Sequence, residues 1–243
     1  FIGIGGIGMS GIASILVDQG YAVSGSDMKE SPVTRKLSGR GIKVFIGHSP
    51  AYLEDKDVVV YSSAIKEDNP ELLAARENGL LILRRAQMLA KLMRDKTCVA
   101  VSGAHGKTTT TALASHLLRE AGFCPTAAIG GILRNLDDNC CFGQESRFFV
   151  AEADESDGTF LYYHPDYPII TNIDREHLDY YQSWEDIVAA YRKFIFNSKD
   201  NGCLFCCGDD RTLREITRDY KKRIVYFGLS SENDFYPEDI VLN

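Results

Sequence analysis

Short apolar runs alternate with longer amphipathic stretches along almost the whole chain. The runs are rich in β-branched residues, which is typical of buried strands, and the stretches between them repeat apolar positions at helical spacing. The clearest strand covers residues 97–101, and the clearest helices cover residues 108–121 and 184–196. Further strands are predicted at residues 21–26, 41–46, 57–61, 80–83, 126–129, 147–151, 167–172, 201–207 and 223–227, and further helices at residues 70–78, 85–93 and 211–221.

This regular alternation of strand and helix indicates a parallel sheet covered by helices. We therefore predict an α/β chain with two domains. A Rossmann-like parallel-sheet domain would cover residues 1–92, and a second α/β domain would cover residues 93–243. The polar stretch at residues 134–146 is expected to be a loop.

Composition narrows the class of protein. The 243 residues are 44% hydrophobic and 25% charged, as in a soluble globular protein, and no apolar run is long enough to span a membrane. The formal net charge of −7 argues against a nucleic-acid surface, so an anionic ligand would need local positive groups. Because Phe1 already lies in a strand-like segment, we expect the chain to begin inside a domain and to carry no signal peptide.

Cysteine usage favours a reducing compartment, the cytoplasm. The count of seven is odd in a long chain, which argues against a disulfide framework. Cys203, Cys206 and Cys207 suggest a zinc site, but a second pair with metal-site spacing is missing. We interpret that segment as a strand.

A glycine-containing turn follows the strand at residues 97–101 and precedes a helix, which is the arrangement of a phosphate-binding loop. Its backbone N–H groups would bind the anion, Lys107 would reach the terminal phosphates, and Thr108 would offer its hydroxyl to Mg²⁺. The alternative is a tight turn capped by threonines, and the glycines are closer together than in the general motif. The predicted nucleotide-binding residues are Gly103, Ala104, His105, Gly106, Lys107, Thr108 and Thr109.

Two later strands end in candidate metal ligands. The strand at residues 147–151 runs into four carboxylates, Glu152, Asp154, Glu155 and Asp157. Hard cations such as Mg²⁺ prefer oxygen ligands, so a metal site is favoured over a solvated acidic turn. His177 follows the strand at residues 167–172 and is a further candidate.

The chain opens on a second glycine turn. Gly3, Gly5 and Gly8 fit the G-x-G-x-x-G pattern, and Asp27 ends the next strand near the position expected for a ribose-binding acid. An NAD-binding domain and a domain that binds a sugar-nucleotide diphosphate both remain open. Residues 3–8, 24–27 and 62–65 all lie at the C-terminal ends of strands, so they should meet at one edge of the sheet.

These motifs together resemble the Mur ligases, which build the peptide of bacterial cell-wall precursors. The matching segments are GIGGIGMSGIA at 3–13, SGSD at 24–27, YSSAI at 61–65, RAQML at 85–89, GAHGKTT at 103–109, EADESD at 152–157 and NIDREHLD at 172–179. The opening segment is similar to the branch that adds L-alanine to UDP-N-acetylmuramate. The resemblance implies that ATP and Mg²⁺ convert the lactyl carboxylate of this nucleotide sugar to an acyl phosphate, which the amine of L-alanine then attacks.

The resemblance implies that residues 93–243 are a P-loop ATPase-like central domain that binds ATP, and it also implies residue roles. Lys107, Glu152 and His177 would be catalytic, and Thr108, Glu152 and His177 would bind Mg²⁺. The substrate-binding residues would be Gly5, Gly6, Ile7, Gly8, Met9, Ser10, Asp27, Ser62, Ser63, Arg85, His105 and Asn172. The partners would be small-molecule substrates, with neither nucleic acid nor a membrane.

This sequence departs from the family pattern at Ala104, where Thr is common, and at Arg84, where Pro is usual. The family's third, C-terminal domain is expected to be missing, so we expect residues 1–243 to bind ligands without turnover. Some branches of the family carry a carbamoylated lysine downstream of the histidine, but we do not assign that role to Lys193.

Three rival functions stay open: a murein-peptide ligase that adds a tripeptide, an NAD-dependent oxidoreductase, and a non-catalytic nucleotide switch.

Overall fold

The computed structural model describes residues 1–133, 138–141 and 146–239, and it confirms the predicted α/β fold. Its elements, in chain order, are α1 (Ile7–Asp18), β1 (Ser24–Asp27), α2 (Pro32–Gly39), β2 (Lys43–Ile46), β3 (Val58–Tyr61), α3 (Pro70–Glu77), β4 (Leu81–Arg84), α4 (Arg85–Met93), β5 (Thr97–Ser102), α5 (Lys107–Glu120), β6 (Thr126–Leu133), β7 (Asp138–Cys141), β8 (Phe148–Glu152), β9 (Tyr167–Ile170), α6 (Trp184–Phe196), β10 (Cys203–Cys207), α7 (Arg211–Ile216) and β11 (Arg223–Phe227). Contacts along the chain divide it into two compact units. The first holds Phe1–Leu92 and Thr126–Ser146, and the second holds Met93–Pro125 and Arg147–Asn243.

In the first unit, two pairs of parallel strands flank the opening segment. Strand β1 pairs with β2, and β3 pairs with β4. Ile2 forms parallel bridges to Ser26 in β1 and to Tyr61 in β3, so the opening segment lies between the two pairs. Buried Ile4 and Leu72 belong to the two apolar clusters that hold these strands against the helices of the unit. The glycine turn therefore starts where β1 and β3 end.

In the second unit, five parallel strands follow the order β11-β10-β9-β5-β8. Val101 of β5 lies opposite Glu152 of β8, and Ser102 lies opposite Ile170 of β9. The carboxyl ends of these three strands thus meet at one edge. A buried aromatic cluster supports the sheet, because Phe160 stacks on Phe194 of α6 at a centroid distance of 4.9 Å.

Several predicted elements differ from the structure. The loop predicted for residues 134–146 is wrong at Asp138–Cys141, which form β7 and pair antiparallel with β6. Cross-strand pairing outweighs the weak strand propensity of that polar segment. Residues 134–137 and 142–145 lie outside the described part. Helix α2 was not predicted, although Ser31 and Thr34 form its capping box. Strand β1 begins at Ser24, three residues after the predicted start at residue 21. Helix α7 ends at Ile216, five residues before the predicted end at residue 221.

The structure bears on two features considered from composition, the state of the cysteines and the presence of membrane-spanning helices. All five cysteines whose side chains are described, Cys98, Cys124, Cys203, Cys206 and Cys207, are free. Within the described residues, we find no helix with both the length and the apolar character that crossing a bilayer would require.

Candidate functional site

The phosphate loop of the second unit joins the end of β5 to the start of α5. Gly103 has a φ of 139° and Gly106, which caps α5, a φ of 84°, and both values are costly for residues with a side chain. A Cβ on Gly103 would lie 2.0 Å from Thr171 Oγ1. Glycine at position 103 therefore lets the loop lie directly against the segment that follows β9.

Asn172 fixes the backbone of this loop. Its Oδ1 accepts a hydrogen bond from His105 N–H at 2.8 Å, and its Nδ2 donates to the His105 carbonyl at 3.0 Å. The hydroxyl of Thr171 donates to the same carbonyl at 2.6 Å. The predicted contact of Asn172 with substrate stays a prediction. Its clamp on the loop could not be recognised from the sequence, because the two segments are far apart in the chain.

Lys107 points back into the loop. Its Nζ donates to the carbonyls of Gly103 and Ala104 at 2.7 and 3.2 Å, and to Glu155 Oε1 at 2.8 Å. The Glu155 side chain is only 3% exposed. Burial raises the pKa of Glu155, and the ammonium group of Lys107 opposes that shift. Among the described residues, none donates a hydrogen bond to the other carboxylate oxygen, Oε2.

Glu155, Glu176 and His177 form a group that could hold a cation. One ligand atom from each residue lies within 4.8 Å of the others, and His177 Nε2 is 3.5 Å from Glu155 Oε1. His177 has a φ of 57°, which is uncommon for a non-glycine residue and marks a constrained position. The sequence identified His177, included Glu155 among four candidate carboxylates without selecting it, and missed Glu176.

Two other predicted metal ligands are outside this group. Glu152 ends β8, and Thr108 is exposed in the first turn of α5. Their metal-binding roles stay predictions. The sequence could not rank the four carboxylates of residues 152–157, because it does not show which of them is buried.

The ring of His105 faces two acids near His177. Its Nε2 lies 3.2 Å from Asp174 Oδ2, and its Nδ1 lies 3.7 Å from Glu176 Oε1. The backbone N–H of Arg175, and then the His105 ring, hold the pKa of Asp174 below its usual value. This side of the loop is exposed, so His105 is accessible to a ligand.

In the first unit, the glycine turn is held by the strand ends that the sequence predicted to meet there. Gly5 N–H donates to Asp27 Oδ2 at 2.8 Å. A Cβ on Gly3 would lie 3.2 Å from the Cβ of Ser62. The Asp27 carboxylate thus supports the turn, while its predicted place beside the uridine stays a prediction. Ser63 is exposed in the adjoining loop.

The start of α1 is suited to an anion. Gly6 caps the helix, and a Cβ on Gly8 would lie 2.9 Å from a guanidinium nitrogen of Arg85. A helix N-terminus and a guanidinium group both favour negative charge. Ile7 is 45% exposed, whereas Met9 and Ser10 are buried, so these last two can support the turn but present little side chain to a ligand.

Comparison with known families gives two matches that together span most of the chain. The family described as "Mur ligase family, catalytic domain" matches residues 1–97, and the "Mur ligase middle domain" matches residues 101–243. Curated relatives include the UDP-N-acetylmuramate–L-alanine ligases of Psychrobacter sp. and Carboxydothermus hydrogenoformans. They are 50% and 48% identical over 96% and 98% of this chain. The chain spans only 49% and 52% of their lengths, about half.

Two solved structures resemble the fold closely. The UDP-N-acetylmuramate-alanine ligase from Thermotoga maritima has a TM-score of 0.83 and is 34% identical, over 95% of this chain and 52% of that one. The UDP-N-acetylmuramate:L-alanyl-γ-D-glutamyl-meso-diaminopimelate ligase from Neisseria meningitides has a TM-score of 0.87. It is 29% identical, over 93% of this chain and 76% of that one.

Proposed function

Since this chain belongs to the Mur ligase family, we propose that its protein joins L-alanine to UDP-N-acetylmuramate at the expense of ATP, in the synthesis of peptidoglycan precursors. The observation that carries the proposal is that one chain has two glycine turns, each at the start of a helix and each beside a cationic side chain. One is the phosphate loop with Lys107, and the other is the glycine turn with Arg85. A ligase of this type must bind ATP and a nucleotide sugar together, and the two sites match those two ligands.

The proposed reaction proceeds through an acyl phosphate. The lactyl carboxylate attacks the γ-phosphorus of ATP, and ADP leaves. The amine of L-alanine then attacks the activated carbonyl, inorganic phosphate leaves, and the amine gives up a proton as the amide forms. The first step brings two anions together, so positive charge must be placed between them. Lys107 supplies that charge at the β- and γ-phosphates.

The donor set next to Lys107 fits a divalent cation. Glu155 and Glu176 offer oxygens, His177 offers an imidazole nitrogen, and Glu155 Oε2 is buried without a hydrogen bond from the described residues. Such an oxygen is a ready ligand atom. Glu155, Glu176 and His177 would hold this ion, and the predicted ligands Thr108 and Glu152, which lie outside the group, would hold a second one at the phosphate loop. The ion would neutralise charge between the γ-phosphate and the substrate carboxylate.

The first unit would bind the nucleotide sugar. We assign its diphosphate to residues 5–10 and Arg85, and its uridine to the side of Asp27, Ser62 and Ser63.

NAD could use the same turn, but an NAD-dependent oxidoreductase would leave Lys107, Glu155 and His177 without a role. A nucleotide switch would likewise leave the glycine turn unused.

A murein-peptide ligase is the second candidate, and a structural observation favours it. The Neisseria structure has the higher of the two TM-scores, 0.87 against 0.83. The identity to that structure is lower, at 29% against 34%, and the curated alanine ligases reach 50%. We therefore rank L-alanine above a tripeptide as the amine substrate.

The test is phosphate release by the intact protein in the presence of Mg-ATP and UDP-N-acetylmuramate. We expect release on addition of L-alanine and little release with the tripeptide L-alanyl-γ-D-glutamyl-meso-diaminopimelate. The reverse preference would establish the peptide ligase. A thermal-shift series with UDP-N-acetylmuramate and NAD serves as a second test, because ligands that bind the native state raise its melting temperature. Stabilisation by NAD alone would contradict the proposal.

A further inference from the structure

Ser26, His48 and Glu71 form a polar cluster inside the first unit. Ser26 donates its hydroxyl hydrogen to Glu71 Oε1 at 2.6 Å, and His48 Nδ1 lies 2.7 Å from the same oxygen. Ser26 Oγ and His48 Nδ1 are themselves 3.1 Å apart, so the three groups form a closed triangle around one carboxylate oxygen. Ser26 is fully buried, Glu71 is 2% exposed, and the His48 side chain is 10% exposed. A buried carboxylate is costly unless it is hydrogen-bonded, so a cluster of this kind is kept for a reason.

The cluster is not arranged for nucleophilic catalysis. In a catalytic triad the imidazole stands between the nucleophile and the acid. Here the serine and the imidazole both meet one carboxylate oxygen, and the serine hydroxyl has no access to solvent. The arrangement instead ties together three segments of the chain: β1, the residue pair after β2, and the first turn of α3.

These segments hold the glycine turn. The Ser26 carbonyl accepts hydrogen bonds from the N–H groups of Gly3 and Ile4, at 2.9 and 3.0 Å. The next residue, Asp27, accepts the N–H of Gly5 through its side chain and the N–H of Gly47 through its carbonyl. Glu71 therefore anchors Ser26 directly, and through His48 it anchors the segment that is bonded to Asp27.

We propose that Glu71 is a positioning residue for the nucleotide-sugar site: it sets the place of Ser26 and Asp27, and thereby the place of the N–H groups of the glycine turn. The inference rests on the proposed function, because it takes the turn to bind the diphosphate of UDP-N-acetylmuramate. Glu71 itself does not touch the ligand. Its removal takes away the acceptor that the Ser26 hydroxyl and His48 Nδ1 share. The one hydrogen bond that these two groups can still form with each other does not tie them to α3, so β1 can then shift beneath the turn.

The experiment measures, by calorimetry on the intact protein, the affinity for UDP-N-acetylmuramate and for Mg-ATP separately. We expect Glu71→Ala to weaken nucleotide-sugar binding about tenfold or more, because it removes the acceptor of two buried hydrogen bonds, and to change Mg-ATP binding less than about twofold. Glu71→Gln should restore most of the affinity, because its amide oxygen can accept both hydrogen bonds. Glu77→Ala is the matched control, since Glu77 is exposed at the other end of α3.

If Glu71→Ala fails to fold, Ser26→Ala takes its place and should weaken nucleotide-sugar binding about threefold, since it removes one hydroxyl and no charge. Equal weakening of both ligands, or no rescue by glutamine, would reduce Glu71 to a general support of the fold and overturn the inference. Wild-type affinity in Glu71→Ala would overturn it as well. If the wild-type protein itself does not bind the nucleotide sugar, the proposed function fails, and this inference fails with it.

Discussion

Lys107 donates to two loop carbonyls and to a buried carboxylate, so its charge is held at the place where phosphates would bind. We predict that Lys107→Met lowers the rate of ATP-dependent phosphate release by a factor of about 10²–10³, the usual effect of losing one electrostatic stabiliser. Lys193→Met, on the exposed side of α6, is the control and should be as active as the wild type. Loss of activity in both variants would instead point to a carbamoylated Lys193.

The reactivity of two cysteines tests the burial of individual side chains. Cys98 is buried in β5, where burial raises the pKa of its thiol to about 12, whereas Cys124 is exposed. The thiolate is the reactive form, so Cys98 stays unreactive at about pH 8 and remains so at about pH 9. We expect iodoacetamide and peptide mass spectrometry to find Cys124 alkylated in the native protein and Cys98 alkylated only after denaturation. Labelling of native Cys98 at a similar rate would contradict its burial.

At the scale of elements, Asp210 connects α7 to the loop that carries Asn172 and His177. Its Oδ1 accepts the N–H of Leu213 at 3.0 Å, and its Oδ2 accepts the N–H of Ile173 at 2.9 Å. Asp210→Ala should lower the free energy of unfolding by about 1–2 kcal/mol, as for the loss of a helix cap, and should also weaken Mg-ATP binding.

Ser31→Ala is the control for this prediction, because Ser31 caps α2 in the first unit. We expect a similar loss of stability by chemical denaturation and unchanged Mg-ATP binding. If the two variants bind Mg-ATP equally well, Asp210 is a helix cap and nothing more.

Local patterns predicted most of these elements, and contacts between distant segments account for what they missed. The apolar run of β5 and the glycines after it are contiguous, so the strand and loop could be recognised. Strand β7 lies within the stretch predicted to be a polar loop, and only its pairing with β6 identifies it as a strand. Glu155 could not be chosen over Glu152, since only the folded chain brings it to Lys107. The link between Ser26 and Glu71 likewise joins residues far apart in the sequence.

At the scale of the whole molecule, the chain has about half the length of its curated relatives. We predict that residues 1–243 alone bind Mg-ATP and UDP-N-acetylmuramate but release no phosphate in response to L-alanine, whereas the intact protein does. Calorimetry and a phosphate assay on both proteins test this. Alanine-dependent release by residues 1–243 would show that they contain every residue the reaction needs.

Because Lys107 is paired with Glu155, the phosphate and the metal ion are expected to bind together, not one after the other. A phosphate that takes Lys107 leaves a buried anion uncompensated, and a cation that takes Glu155 meets an unbalanced ammonium group. Both charges stay compensated only if the two ligands bind together. The phosphate then replaces Glu155 as the partner of Lys107, and the metal ion replaces Lys107 as the partner of Glu155. The site therefore favours ATP that carries its metal ion over metal-free ATP. We expect the magnesium complex of ATP to bind at least about tenfold more tightly than ATP in excess EDTA.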